Sequence, residues 1–338
     1  MIQDSQGKPV LQCEPKEMLS IRRALDGKDE IRINHSSYSL ISACKKKAYF
    51  ALERGLVKQH ESEALIFGRA VHAALEVWYT ASIEFRRNRS SLCNDSIALM
   101  ESGQAPIAHG RCVRCAAISA FFRVAEPLRV LESSDKRSLR NGAQILEAYF
   151  DVYAEDPFEV LTDSIGPLCE RTLEIVLTED EETRVIFFGT LDAVLRNTKN
   201  GHIVLCDHKT TSALGQDFLQ RIRPNWQYTA YMAAFRATYP EHDTRTFMSN
   251  GILVAKTKQS FARQFCEVDE GLISEWRISL LDLAYDWYAR VKTKGPFPMN
   301  APDPCCMWGA CQYRTICEIP LNLQENVITA NYKGTLNE

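Results

Sequence analysis

Two acidic residues and a lysine flank one short turn. Asp192 lies in Phe187-Phe188-Gly189-Thr190-Leu191-Asp192-Ala193-Val194-Leu195, and Asp207 lies in His202-Ile203-Val204-Leu205-Cys206-Asp207-His208-Lys209. Between them, Asn197-Thr198-Lys199-Asn200-Gly201 carries an Asn-Gly step, a strong hairpin signal. The midpoint between the two aspartates falls inside that turn, so they are expected to face one another within about one residue of register. Side chains alternate along a strand, which puts Asp207 and Lys209 on one face. Facing carboxylates among apolar neighbours repel each other, and a divalent cation relieves that repulsion; oxygen ligands suit Mg²⁺ or Mn²⁺. A nearby ammonium can orient a water or stabilise charge developing on a phosphate. Together these groups suit the hydrolysis of phosphodiesters. The plainer reading makes Asp192 and Asp207 strand-end residues salt-bridged to Lys209 or Arg196.

His72 stands four residues after a glycine in Gly68-Arg69-Ala70-Val71-His72. A lone helical histidine is usually only a polar residue near a core, but an imidazole beside two carboxylates would favour Mn²⁺ over Mg²⁺. Gln227 and Tyr231 are four apart in Gln227-Tyr228-Thr229-Ala230-Tyr231, so they share one helix face. Both can donate hydrogen bonds to a phosphate or to the lysine's surroundings.

The elements that must position these residues can be read from periodicity. Residues 1–35 read as a loose, polar lead-in with at most a short helix around Lys16–Leu25. A helix with Ser36 or Ser37 as its N-cap carries Tyr38, Leu40, Ile41, Cys44, Ala48 and Leu52 at helical spacing; a second runs from near Ala64 to Trp78, closing a segment over 36–82. Residues 83–155 read as a helical insertion ending in a helix from about Asn141 to Ala154. From 156 the texture changes. Arg171–Leu177, Val185–Leu195 and His202–Asp207 read as antiparallel strands, followed by helical Gln216–Tyr239, a strand pair at Gly251–Ala255 and Phe261–Val268, and a long helix over Gly271–Lys292. A core over 156–295 and a cysteine-rich tail over 296–338 complete the division.

Composition excludes little but usefully. The chain has 338 residues, 45% hydrophobic and 25% charged, with 40 Lys+Arg against 43 Asp+Glu. That is ordinary for a globular protein large enough to fold without disulfides. No run reaches the roughly 20 apolar residues of a membrane helix, and Met1 to Pro9 lacks the apolar stretch of a signal peptide, so a cytoplasmic location is expected, in the host cytoplasm if the gene is a phage's. A net charge of −3 neither supports nor excludes nucleic acid.

Taken in order, Gly68-x-x-x-His72, Gly189-Thr190-Leu191-Asp192, Asp207-His208-Lys209 and Gln227-x-x-x-Tyr231 resemble the PD-(D/E)XK nuclease superfamily. The resemblance is nearest to its RecB-like branch, with AddB-type, CRISPR-associated and phage exonucleases. It covers roughly residues 36–80 and 165–320 and leaves the 83–145 insertion unaccounted for. It implies an α/β, restriction-endonuclease-like core with a mixed central sheet flanked by helices. It also implies metal ligation by His72, Asp192, Asp207 and the backbone carbonyl of His208, with Lys209 positioning the attacking water and Gln227 and Tyr231 contacting DNA or supporting the site. Glu170 matches an acidic position often found before the first core strand. His208 departs from the tyrosine common in this branch.

Twelve cysteines in a reducing compartment point to metal or cluster binding, and Cys305, Cys306, Cys311 and Cys317 crowd thirteen residues. The resemblance implies a [4Fe–4S] cluster held by Cys44, Cys306, Cys311 and Cys317, clipping residue 44 to the tail. Four residues separate Cys306 from Cys311 where the family commonly has two, so Cys305 stands as an alternative ligand, and zinc on the same cysteines remains open. Cys112-Val-Arg-Cys115, with His109 and Cys93 upstream, has metal-like spacing, though simple packing is the favoured reading.

Arg221, Arg223 and Trp226 precede Gln227, and Lys256, Lys258 and Arg263 surround a second hairpin. They could line a groove for a DNA strand, Arg221 to Trp226 before the others; the plainer reading of each is a solvated charged face. The insertion is expected to arch over the site and restrict entry to single strands or free ends. The function expected is a metal-dependent deoxyribonuclease, an exonuclease on DNA ends or single strands in recombination, repair or phage DNA metabolism. Such chains often work with a helicase or recombinase. The alternative is a non-catalytic DNA-binding or scaffold subunit with a degenerate nuclease fold.

Overall fold

The computed structural model describes residues 19–58, 62–87, 99, 104, 112–132, 134–220, 222–301, 305 and 310–334. Along the chain run strands β1 (Leu19–Arg23) and β2 (Asp29–Ile33), helices α1 (His35–Ala43) and α2 (Lys45–Ala48), a π-helical turn at Tyr49–Glu53, and strand β3 (Leu56–Lys58). Helices α3 (Glu63–Thr80), α4 (Ile83–Arg87), α5 (Val113–Ala125) and α6 (Leu139–Val152) follow, then strands β4 (Phe158–Val160), β5 (Cys169–Glu179), β6 (Thr183–Asn197) and β7 (Ile203–Thr211). Helices α7 (Gln216–Gln220) and α8 (Trp226–Thr238) lead to β8 (Thr246–Leu253) and β9 (Phe261–Glu267). Helices α9 (Glu270–Thr293), α10 (Arg314–Glu318) and α11 (Leu321–Asn331) and strand β10 (Tyr332–Gly334) close the chain. These elements divide into two compact units, one of residues 1–59, 175–188 and 277–338, the other of 60–174 and 189–276.

In the first unit, β1 and β2 form an antiparallel hairpin, and β2 runs parallel to the start of β6, from Asp29↔Thr183 to Ile33↔Phe187. The described part of the lead-in is therefore strand, not loose chain or helix. Its period is two: Ile31 and Ile33 are buried while Glu30 and Arg32 are not. The cap of α1 is Asn34, two or three residues before the expected serines: it accepts from the Ser37 amide at 2.9 Å while its own amide donates to Ser37 Oγ at 3.1 Å. Ile41, Ala48 and Trp287 form one small core and Phe50, Leu56, Tyr313, Ile316 and Ile328 another.

Asp29 is a buried charge of this unit. Lys292 Nζ (2.7 Å), the Tyr288 hydroxyl (2.6 Å) and Arg23 Nη1 (3.1 Å) hold its carboxyl well below the usual carboxylate range. A depressed carboxyl adds stability that is complete above its unfolded pKa, about 3.9, and is lost as pH falls toward the folded value. Asp29→Asn is therefore expected to be less stable at neutral pH and to show a shallower loss of stability below about pH 4. Acid titrations followed by circular dichroism check this; parallel curves for the two proteins would refute it.

In the second unit, the end of β6 pairs antiparallel with β7, β7 runs parallel to β8, and β8 pairs antiparallel with β9. The sheet is mixed and flanked by helices, as expected. On one face α3, α5 and α6 bury Trp78, Phe121, Tyr149 and Phe150 against Leu195, Cys206, Met248 and Ile252. On the other, Tyr228 of α8 stacks on Phe247 at 4.1 Å. Two expectations need correcting. The described helices of the 83–155 segment are not an addition outside the core, since Phe121, Phe122, Leu146 and Tyr149 are part of it. The stretch Gln216–Tyr239 is not one helix. Pro224 cannot continue a helix, and Asn225 caps α8 afresh by accepting from the amides of Gln227 (2.9 Å) and Tyr228 (3.2 Å).

Candidate active site

The hairpin keeps the register counted from its turn. Ala193 lies opposite Cys206, and one further step brings Asp192 opposite Asp207. Both carboxylates are buried, Asp192 at 9% and Asp207 at 2% exposure. The His208 amide donates to Asp192 Oδ2 at 2.6 Å, tying the first aspartate to the strand of the second.

His72 joins them from α3. Its Nε2 donates to the His208 carbonyl at 2.8 Å, which turns Nδ1 toward Asp192 Oδ2 at 3.5 Å and Glu170 Oε1 at 3.6 Å. His72, Glu170 and Asp192 each offer a ligand atom, all within 4.8 Å of one another. Imidazole and carboxylates are a fitting donor set for a divalent cation. Burial pushes Asp192 up to about 7, reinforced by the charges of Asp207 and Glu170 against the pull of His72. Burial by itself would lower His72, but Asp192, Glu170 and Asp207 outweigh it and carry the imidazole up to about 9. A proton on His72 thus balances the carboxylates where no cation does. Glu170 reaches the group from a strained backbone, at φ 49, which costs a residue with a Cβ roughly 1–3 kcal/mol.

Asp207 is engaged differently and is not part of that trio. Lys209 Nζ donates to its Oδ1 at 2.9 Å and to Gln227 Oε1 at 3.0 Å, while Gln227 Nε2 donates to the Tyr231 hydroxyl at 3.3 Å. Lys209, Gln227 and Tyr231 are thus brought together from β7 and α8. Burial works against the Lys209 charge, yet Asp207 and Asp192 raise its pKa, so it remains an ammonium at neutral pH. It can stabilise negative charge but is a poor base. Tyr228, which the sequence reading passed over, donates to Ser249 Oγ at 2.8 Å and to Asp207 Oδ2 at 3.4 Å. No sequence signal distinguishes it from the other aromatics of α8.

The proposed groove residues are less well gathered. Arg223 is exposed and pairs with Asp269 at 3.2 Å; Trp226 is half-buried at the start of α8; Arg221 lies outside the described residues. Arg263 does not line a groove at all, because its side chain is 12% exposed and paired with buried Asp156.

The cysteines fall into two groups. In the first unit, Cys44, Cys305, Cys311 and Cys317 line one hollow together with Lys47, Met299, Tyr313 and Arg314. Cys44 Sγ accepts from the amides of Lys47 and Asn300, each at 3.5 Å, and the Cys311 amide donates to the Cys305 carbonyl at 2.9 Å. Cys306 lies outside the described residues. In the second unit, Cys112 and Cys115 are buried against each other, with Cys112 Sγ accepting from the Cys115 amide at the start of α5. Cys93 and His109 lie outside the described residues.

This chain belongs to the PD-(D/E)XK nuclease superfamily, whose family model matches residues 32–318. Nucleases of that superfamily generally use Mg²⁺ or Mn²⁺. No curated protein matches the chain. Among solved structures, a candidate exonuclease from Eubacterium rectale is 12% identical, with 87% of this chain and 91% of that chain covered at a TM-score of 0.47. The protein SSO0001 is 13% identical, with 77% and 97% covered at a TM-score of 0.30. No helix of the described residues is long and apolar enough to cross a membrane.

Proposed function

We propose that this protein is a metal-dependent deoxyribonuclease acting as an exonuclease on DNA ends or single strands, in recombination, repair or phage DNA metabolism. The observation that carries the reading is the meeting of a charged lysine with one buried aspartate, beside a second aspartate already grouped with His72 and Glu170. His72, Asp192 and Glu170 would hold Mn²⁺ or Mg²⁺, with Asp207 and the His208 carbonyl beside them, and the ion would supply Lewis acidity toward the phosphate and acidify water. Lys209 would face the charge that develops on the phosphate as a water oxygen bonds to phosphorus and gives up one proton to solvent, while the ester P–O bond breaks and the departing alkoxide takes one proton from solvent. Gln227 holds Lys209 in place, and Tyr231 holds Gln227. Gln227, Tyr231, Trp226, Arg223 and Arg221 are the candidates for DNA contact.

A [4Fe–4S] cluster on Cys44, Cys311 and Cys317, with Cys305 or Cys306 as fourth ligand, fits the clustering of thiols in one hollow. The amides of Lys47 and Asn300 would hydrogen-bond the Cys44 sulfur in such a cluster. Its role is structural, and a helicase or recombinase is the natural partner.

Anaerobic incubation with end-labelled single- and double-stranded DNA and Mn²⁺ or Mg²⁺ tests the activity; progressive loss of nucleotides from ends is expected, and intact DNA in every condition overturns it. The same preparation is expected to be brown with iron and sulfide bound. A colourless zinc protein would remove the cluster and leave the nuclease reading standing.

A further inference from the structure

A row of buried polar side chains behind β7 has no part in the chemistry above. His208 pairs with Asn250 in the β7–β8 register, and Asn250 pairs with Arg263 in the β8–β9 register, so the three side chains lie side by side across the sheet. Tyr79 of α3 and Tyr149 of α6 close over them. Asn250 Nδ2 donates to His208 Nδ1 at 2.8 Å and to the Tyr149 oxygen at 2.7 Å. That leaves Tyr149 to donate to Tyr79 at 2.6 Å, and Tyr79 to donate onward to the Asp156 carboxylate at 3.5 Å. Arg263 Nη2 donates to both the Tyr79 oxygen, at 2.6 Å, and Asp156. From Asn250 through Tyr149 and Tyr79 the donors point toward the Asp156 anion, so each bond of that run polarises the next.

Stability does not explain this row. Asn250 and Tyr149 are 0% exposed, Tyr79 is 1% and His208 is 3%. Asn250 Oδ1, His208 Nε2 and Arg263 Nε find no hydrogen-bond partner among the described residues. Orphaned buried polar atoms are costly, and apolar side chains of similar volume would commonly be as stable or more so.

What the row does fix is His208. The His208 ring stacks on Tyr79, with centroids 5.4 Å apart and planes inclined by 19°. Tyr79 and His72 are seven residues apart on α3, two turns along the same side. Helix and strand are therefore joined twice, by Tyr79 on the His208 ring and by His72 on the His208 carbonyl. We infer that Asn250, Tyr149 and Tyr79 are positioning residues for the cation site. They hold His208 so that its carbonyl takes the Nε2 proton of His72 and turns Nδ1 toward Asp192 and Glu170. The inference rests on the proposed reading of His72 as a cation ligand. A ligating imidazole generally donates its other N–H to such a partner, and losing the partners that orient ligands weakens metal binding roughly 10–100-fold.

The test is a direct Mn²⁺ titration of the full chain by electron paramagnetic resonance of the free ion, with thermal melts alongside. The variants are Asn250→Leu and the milder Tyr149→Phe, which keeps the ring; Ile118→Val, a core change in α5, serves as the stability control. Roughly tenfold or weaker Mn²⁺ binding in both network variants, with wild-type affinity in the control, is the expected result. Network variants that bind Mn²⁺ within about twofold of wild type would overturn the positioning role. So would a loss of affinity in Ile118→Val equal to theirs, because affinity would then follow stability alone. A wild-type chain that binds Mn²⁺ but leaves DNA intact would end the nuclease reading while the titrations still decide this one. A wild-type chain that binds no Mn²⁺ ends both.

Discussion

Lys209→Ala is expected to lower Mn²⁺-dependent DNA cleavage by roughly 10²–10³-fold, the usual cost of deleting one preorganised charge that faces a developing anion. The loss should fall on kcat, since the ammonium's interaction grows only as the phosphate gains charge. Two features make the lysine more than a local salt bridge. It is held from two elements, by Asp207 on β7 and Gln227 on α8, and its side chain is still 40% exposed, so a substrate can reach it. Arginine is not expected to rescue activity, because its planar fork cannot occupy the point between Asp207 Oδ1 and Gln227 Oε1 that an ammonium fills. Single-turnover cleavage at saturating Mn²⁺ measures the effect. A variant within about threefold of wild type would remove Lys209 from the reaction.

The parts of this site legible from sequence are those set by local geometry. Asp192 and Asp207 could be paired by counting outward from Asn200-Gly201, because a hairpin's register follows from its turn. Lys209 followed from strand alternation, and Gln227 with Tyr231 from helical spacing. His72 could be singled out only by its company, the downstream carboxylates and then the family motif, since nothing local connects α3 to a strand more than a hundred residues later. Glu170 came the same way, and only the structure shows its strained backbone and its approach to His72.

Long-range burial was the blind spot. Arg263 reads as a surface cation on an alternating strand, yet its partner Asp156 lies 107 residues away and takes it into the interior. Asn250 and Tyr149 are likewise a strand residue and a helix residue whose bond exists only once α6 is laid over β8. At the fold level the misses have a similar source. Strands β1 and β2 are five residues each, too short for their period to stand out, and β2 finds its second partner in β6, about 150 residues on. The helices at 113–152 look like an insertion because the family motifs skip them, but their apolar faces supply part of the core.

Asp156→Asn is expected to destabilise the protein by roughly 3–5 kcal/mol, because it leaves the Arg263 charge buried and unpaired. The pair is well sealed, with side-chain exposures of 12% for Arg263 and 1% for Asp156, and among the described residues Arg263 Nη2 otherwise donates to Tyr79 and, at 3.5 Å, to Tyr149. Neither tyrosine carries a charge that would offset the guanidinium. Removing both members at once should behave differently. Asp156→Leu with Arg263→Met takes away the charge along with its partner, and such apolar replacements commonly restore stability. Urea unfolding of the single and double variants distinguishes the two cases; a single variant within about 1 kcal/mol of wild type would mean that water reaches Arg263 and that the pair is not sealed. The double variant also separates stability from function. It should fold well yet bind Mn²⁺ weakly, because Tyr79 then has no anion to receive its proton and no guanidinium to hold it over His208. If instead it regains both stability and Mn²⁺ affinity, the ion pair is a packing solution only, and the hold on His72 ends at Asn250 and Tyr149.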